Sequence, residues 1–326
     1  MPKHLLSEPG DWFLGELHPL SHGNAWLEVD EADGQVRSAR LDCSNSARGD
    51  EKLLEVRDVQ QGLALAGRAG WLTPAAAELA YARAIEELLG LQPPPRALAL
   101  RELLLDVQMV IGHSWRLAAM ADLCGADGRS WLAQRELWLK AHERLTGARV
   151  HDVWVRLGGV ATDASAEVLN ELLELVLDPW PELDPVNARG LGHLSGSQAA
   201  DFAVAGIPST DHDAADRIRL LADSLVAARS SLAARVAQLP DGAVSQLLPK
   251  SIRVPVGSSR QQVDSATGGI ELWVFGDGGK APTRVSYSSN SDRAVALFEA
   301  AAVGMPTQSA RWLLATLPIA TGEVAL

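Results

Sequence analysis

Residues 135–163, RELWLKAHERLTGARVHDVWVRLGGVATD, constrain the fold more than any other stretch. The first half is built for a helix. Leu137, Leu139, Lys140, His142, Glu143, Arg144 and Leu145 are mostly good helix formers, and Gly147 stands where a helix end favours glycine. The second half changes period. Val153, Val155 and Leu157 alternate with Asp152, Trp154 and Arg156, which predicts a half-buried strand. Gly158-Gly159 then breaks the strand and lets the backbone approach a neighbour closely. Arg156 beside this glycine pair suits a binding site. The commoner reading of such residues is a helix–turn–strand corner with a solvated arginine.

The chain has 326 residues, 47% hydrophobic and 21% charged, so it can bury a large core and is globular in composition. Its net charge of −12 argues against nucleic-acid binding, because a phosphate backbone would be repelled. Cys43 and Cys124 are its only cysteines. That suits a reducing cytoplasm, and two thiols are too few for a structural zinc or an all-cysteine iron–sulfur cluster. The first residues, MPKHLLSEPGDW, lack the apolar core of a signal peptide. The most apolar long segment, 103–125, carries Asp106, Gln108, His113, Arg116 and Asp122, which argues against a membrane span. Ten tryptophans against two tyrosines suggest bulky core or interface anchors.

Residues 12–42 read as a β hairpin or meander turning at Asp33-Gly34. Within it, HPLSHG places His18 and His22 around a turn, where both can be plain polar turn residues. SARGDEKLLEVRDVQQ begins an amphipathic helix, with Leu53, Leu54, Val56 and Val59 toward a core. Residues 74–91 predict a helix between Pro74 and Gly90. After QPPPR, a longer helix carries the core stripe Leu104, Val107, Ile111, Leu117 and Met120. Further helices are expected over 167–177, after Ser195, along the RIRLLADSLVAARSSLAARVA run and from Ser291, with a hairpin over 271–288.

In order along the chain, these segments resemble the 49 kDa (D-type) subunit of the NADH:quinone oxidoreductase known as complex I, a relative of nickel–iron hydrogenase large subunits. LTGARVHDVWVRLGGVATD is similar to the family's TGAR…RxGGVxxD segment. The helix with Arg48, Glu51, Lys52 and Arg57 is similar to its HRGxEKLxExRxxxQ element, and the segment at Arg189 to its TRGVGxLS element. The resemblance implies an α+β fold: a mainly helical core, a small N-terminal β region and a C-terminal β hairpin, hydrogenase-like without the metal. Residues 1–326 would form one domain, with β structure over 12–42, a helical core over 50–240, and the hairpin and last helices over 250–326.

By the same resemblance, His22 matches the family histidine that hydrogen-bonds the quinone head group. Trp71 stands where the family has the tyrosine that donates the second bond. His113 matches a family histidine, and Asp122 falls one residue before the aspartate that pairs with the quinone histidine. Arg156, Gly158 and Gly159 match the RxGGV segment. The quinone-site candidates are therefore His22, Trp71, Asp122, His113 and Arg156. Arg48, Glu51, Lys52, Arg57, Gly158, Gly159 and Arg189 are candidates for structural or interface roles.

In hydrogenase large subunits two C-x-x-C pairs hold the metal. The corresponding places here read ALAGRAGWLTP and LPIATGEVAL, without cysteine, so no metal is expected on this chain. Against the family, a polar and aromatic segment after residue 208 is missing. Two functions follow from the resemblance. One is a divergent 49 kDa-type subunit, inactive alone, which shapes a quinone cavity beside an iron–sulfur partner subunit. Its setting would be a complex I-like chain with NAD binding, held at the cytoplasmic face of the membrane by other subunits. The other is a non-catalytic scaffold or maturation protein that keeps the fold. In both, the chain itself binds no cofactor, and quinone is the substrate of the first.

Overall fold

The computed structural model describes residues 12–14, 23–249 and 251–324. Among these residues the chain folds into ten α-helices and three small antiparallel sheets, an α+β architecture.

The centre is helical. α1 (Asp50–Val56) and α2 (Val59–Ala66) lead to α3 (Pro74–Leu89), α4 (Pro95–Leu123) and α5 (Gly128–Thr146). α3 starts on Pro74 and ends at Gly90, whose φ of 65° is the left-handed conformation that closes a helix. Its alanines, Ala75, Ala76, Ala77, Ala80, Ala82 and Ala84, are all fully buried and allow close approach on several sides. α4 packs against α5 and against α8 (Ala214–Ala237). All five residues of its expected stripe are buried.

The N-terminal sheet is β1 (Trp12–Leu14), β2 (Ala25–Ala32) and β3 (Gln35–Asp42), turning at Asp33-Gly34 as expected. It packs on α9 (Asn290–Ala302) and α10 (Thr307–Thr316) and forms a second hydrophobic core. The remaining short elements are the two-residue strands β4 (Val155–Arg156) and β5 (Gly159–Val160), α6 (Ala166–Leu177) and α7 (Gly196–Phe202). α7 begins with the Ser195/Gln198 capping box. The C-terminal sheet, β6 (Gly257–Val263), β7 (Ile270–Gly276) and β8 (Arg284–Ser289), lies on α3. Its edge strand β8 is covered by α1, whose Glu51 and Glu55 accept the Tyr287 and Val285 N–H groups at 2.8 and 3.1 Å.

Three expectations change. The helix after Arg48 is two helices, because Arg57 is extended and Asp58 caps α2 by accepting from the Gln60 and Gln61 N–H groups. Only Leu54 and Val59 of its expected stripe are buried; Leu53 and Val56 are exposed. The predicted strand at 153–157 shrinks to β4, paired with β5 across the Gly158-Gly159 turn. Its polarity also differs, since Asp152 and Trp154 are buried and Val153 is exposed. The Asp152 carboxylate accounts for this, because it accepts the Trp154 N–H at 3.0 Å and the Gln108 side-chain N–H at 3.2 Å, which draws the segment inward. Strand β6, GSSRQQV, has too few apolar residues to be read from sequence. Among the described residues, no helix is long and apolar enough to cross a membrane.

Candidate functional site

The two segments that lack the hydrogenase cysteines meet in space. The loop before α3 places Trp71 against the turn Thr321–Glu323 so closely that a side chain at Gly322 would collide with the indole. Glu323 is wholly buried behind this contact. Its Oε1 accepts the Trp71 and Leu72 N–H groups at 3.1 and 3.5 Å. Its Oε2 accepts the Thr267 and Ser291 hydroxyls at 2.6 and 3.1 Å. Burial raises the Glu323 pKa, and these donors act against the rise.

Gly23 joins the same place from the N-terminal sheet. Its φ is 148°, and any side chain there would collide with the Thr321 hydroxyl. Arg48 closes the group. Its guanidinium donates to the Asp50 carboxylate at 3.0 Å and to the Arg68 and Gly322 carbonyls at 2.6 and 3.1 Å. It also lies 5.6 Å from the Trp71 ring centroid, within cation–π range.

Two polar side chains stand on the edge beside Trp71. Arg68 and His151 are both exposed there. Packed surroundings and the Arg68 and Arg48 charges pull the His151 ring below its ordinary pKa. Sequence reasoning missed His151 and Arg68. Each sits in a segment already recognised, but neither has a local pattern that separates it from a solvated surface residue.

The sequence candidates are not brought together. His22 lies outside the described residues. Trp71 borders a cavity of about 50 Å³, with Gln108, Gly112, Arg135 and His142 among its walls. His113 lines a different cavity of about 510 Å³. It is buried, neither ring nitrogen has a partner within the protein, and burial together with the Arg116 charge pulls its pKa down to about 3. Asp122 is exposed, and its Oδ1 accepts the Gly128 N–H at 3.0 Å at the start of α5. The helix does not bulge to turn Asp122 inward; Asp127 is the N-cap of α5, and Asp122 ties the end of α4 to its first residue. Arg156 is exposed and donates to the Val153 carbonyl.

Of the other candidates, the glycine pair is tied to α3 and α4 and the rest lie at the surface. Gly158 donates its N–H to Glu86 at 2.7 Å, and the Gly159 carbonyl accepts from Arg101 Nε at 3.1 Å. Lys52 pairs with Glu55 at 2.7 Å, and Arg189 lies 3.9 Å from Asp184 on the surface. Arg57 is exposed at the break between α1 and α2.

A buried polar cluster was also missed. His142 Nε2 lies 3.1 Å from Asp152 Oδ2, and its Nδ1 lies 2.9 Å from the Ala148 carbonyl. The Gln108 side-chain nitrogen lies 3.0 Å from the same Nε2. Gln108 also bridges Asp152 to α3, accepting the Ala75 N–H at 2.7 Å. Glu78 is buried nearby with one oxygen unpartnered, and burial and the Asp152 charge raise its pKa well above the carboxylate range. Gln108 and His142 inside otherwise apolar helical stretches were the available signal.

Residues 129–187 match the family described as respiratory-chain NADH dehydrogenase, 49 Kd subunit. The D-type NADH-quinone oxidoreductase subunit of Clostridium beijerinckii is 24% identical over 354 aligned residues, which cover 95% of each chain. Its counterpart in Rhodospirillum rubrum is 32% identical over 208 residues, covering 59% of this chain and 53% of that one. Among solved structures, a chain of the membrane-bound sulfane sulfur reductase, an archaeal respiratory membrane complex, superposes with a TM-score of 0.86. It is 22% identical, and the match covers 98% of this chain and 99% of that one. Over most of its length the chain is therefore similar to the 49 kDa, D-type subunits of NADH-quinone oxidoreductases.

Proposed function

We propose that this chain is a 49 kDa-type component of a respiratory membrane assembly and forms one wall of a quinone head-group site beside an iron–sulfur partner. The observation that supports this most is the meeting of Trp71, Arg48, Gly23 and the Thr321–Glu323 turn. Gly23, which directly follows His22 in the sequence, is held at the same turn as Trp71. Trp71 offers an aromatic face for a ring and an indole N–H as donor. Arg48 and Arg68 supply a positive edge, which favours the negative charge a quinone gains on reduction, and the neutral His151 ring stands beside them.

The chain's own thiols do not fit an iron–sulfur cluster. Cys43 and Cys124 are both buried, and burial raises both pKa values, Cys43 to about 12. A cluster in the partner would supply the electrons. The chain's part is to hold the ring and steady charge and protons around it. Attachment to the membrane would run through partner subunits at the cytoplasmic face.

One observation favours the non-catalytic reading. The cavity at Trp71 is about 50 Å³, far below the ~300 Å³ at which small-ligand pockets begin. Under the first reading, the partner completes the site on the outer side of Trp71.

The test is co-expression with the chains encoded beside it, followed by assay of the purified complex with a reduced viologen donor and a short-chain quinone. Under the first reading the complex reduces quinone, Trp71→Tyr retains activity, and Trp71→Ala loses at least ~tenfold, as expected for loss of a positioned hydrogen bond. A complex that assembles but gives no quinone reduction above the donor's own rate leaves the scaffold reading.

A further inference from the structure

The larger cavity lies along the groove between α4 and α8, away from Trp71. Its volume is about 510 Å³, within the range of small-molecule sites. One end is closed where Asp106 accepts from the Ser231 hydroxyl at 2.9 Å and from Arg235 Nε at 2.7 Å. The other end is cationic. Arg116 and Arg217 both line it and are 5% and 3% exposed. Arg116 gives one N–H to the Ala266 carbonyl at 3.0 Å, and its Nε has no partner within the protein. Arg217 bonds the Thr316 hydroxyl at 2.8 Å and the Gly192 carbonyl at 2.7 Å, and its Nη1 has none. His113 contributes two more unpartnered nitrogens to the same wall.

Buried donors on charged groups are costly to leave unmet. No carboxylate pairs directly with either guanidinium among the described residues. Glu323 acts on Arg116 only through its field, and Asp213 and Asp216 act on Arg217 in the same way. An inorganic anion would meet the donors but would leave the apolar wall between the two ends uncovered. That wall fits the body of an organic molecule.

We propose that the α4–α8 cavity binds a small amphiphilic carboxylate, its head on Arg116 and Arg217 and its apolar body along Met109, Leu220, Leu221 and Ala228. The site is separate from the proposed quinone wall and does not depend on that reading.

The experiment is calorimetric titration of the full-length chain with octanoate, with octylamine and inorganic phosphate as the charge-reversed and head-only probes. Octanoate is expected to bind one per chain, with octylamine and phosphate each at least ~tenfold weaker, the loss expected for a missing charge-assisted bond or apolar body. Arg116→Met and Arg217→Met should each weaken octanoate by a similar factor. Since either arginine also bonds backbone carbonyls, a second variant keeps the test sharp. Ala227→Trp places an indole at the cavity mouth without touching the donors and should abolish binding while thermal unfolding stays cooperative. The proposal is overturned if the folded chain binds no octanoate, if octylamine or phosphate binds as well, or if binding survives Ala227→Trp.

Discussion

His113 and Glu78 are buried with unpartnered atoms, and each ties stability to pH with opposite sign. The His113 pKa is held down at about 3. Below the ordinary imidazole value of about 6.5, the unfolded chain takes up a proton that the folded chain refuses. Its share of stability is therefore complete above about pH 6.5 and is lost progressively as pH falls toward 3. At pH 5 the loss is about 2 kcal/mol, and His113→Gln should remove that slope. Glu78 runs the other way, since burial and Asp152 raise its folded pKa. The folded chain keeps a proton that the unfolded chain releases, so stability is lost as pH rises above the ordinary carboxylate value. Glu78→Gln should be more stable than the parent near neutral pH by about 1–3 kcal/mol, the cost of a buried unpaired group, with the difference closing toward pH 4. Urea unfolding across pH 4–8 checks both slopes.

Among elements, the β4–β5 hairpin depends on one buried ion pair. Arg101 bonds Glu86 through two nitrogens at 2.9 and 2.6 Å and also holds the Arg156 and Gly159 carbonyls. Arg101→Met strands the Glu86 carboxylate and should cost about 3–5 kcal/mol, while adding Glu86→Leu should recover part of that loss. Denaturant midpoints of the single and double variants measure the coupling. The long helices were legible because their apolar spacing and end residues agree: Pro74 with Gly90 for α3, and Gly147 after α5. The edges were not. β6 shows its apolar residues only at Val263 and depends on pairing with β7, and the 153–157 segment follows the pull of Asp152 rather than its alternation. The same limit applied to the site. The family resemblance put Trp71 forward as a candidate, but the cradle around Trp71 is made by Arg48, Gly23 and Glu323. Contacts over more than 250 positions, such as Trp71 to Glu323, leave no periodic trace in a sequence.

At the scale of the whole molecule, charge and exposure point to one face. The chain carries a net charge of −12, yet Arg48 and Arg68 collect beside Trp71. Val150 and Val153, 45% and 39% exposed, flank His151 along the same segment. Exposed apolar residues next to arginines are the composition of interface cores rather than of free surface. A permanent partner on this edge would bury upwards of ~2,000 Å² and would present acidic groups to Arg68. The two kinds of contact separate kinetically. Arg68→Glu should slow association with the proposed iron–sulfur partner by about tenfold at low salt, and the difference should fade near 0.5 M salt as screening shortens the field. Val153→Asp should leave association almost unchanged and speed dissociation, because it removes apolar contact made only after docking. Binding kinetics on an immobilised partner give both rates. If neither variant changes either rate while both remain folded, this edge does not carry the interface.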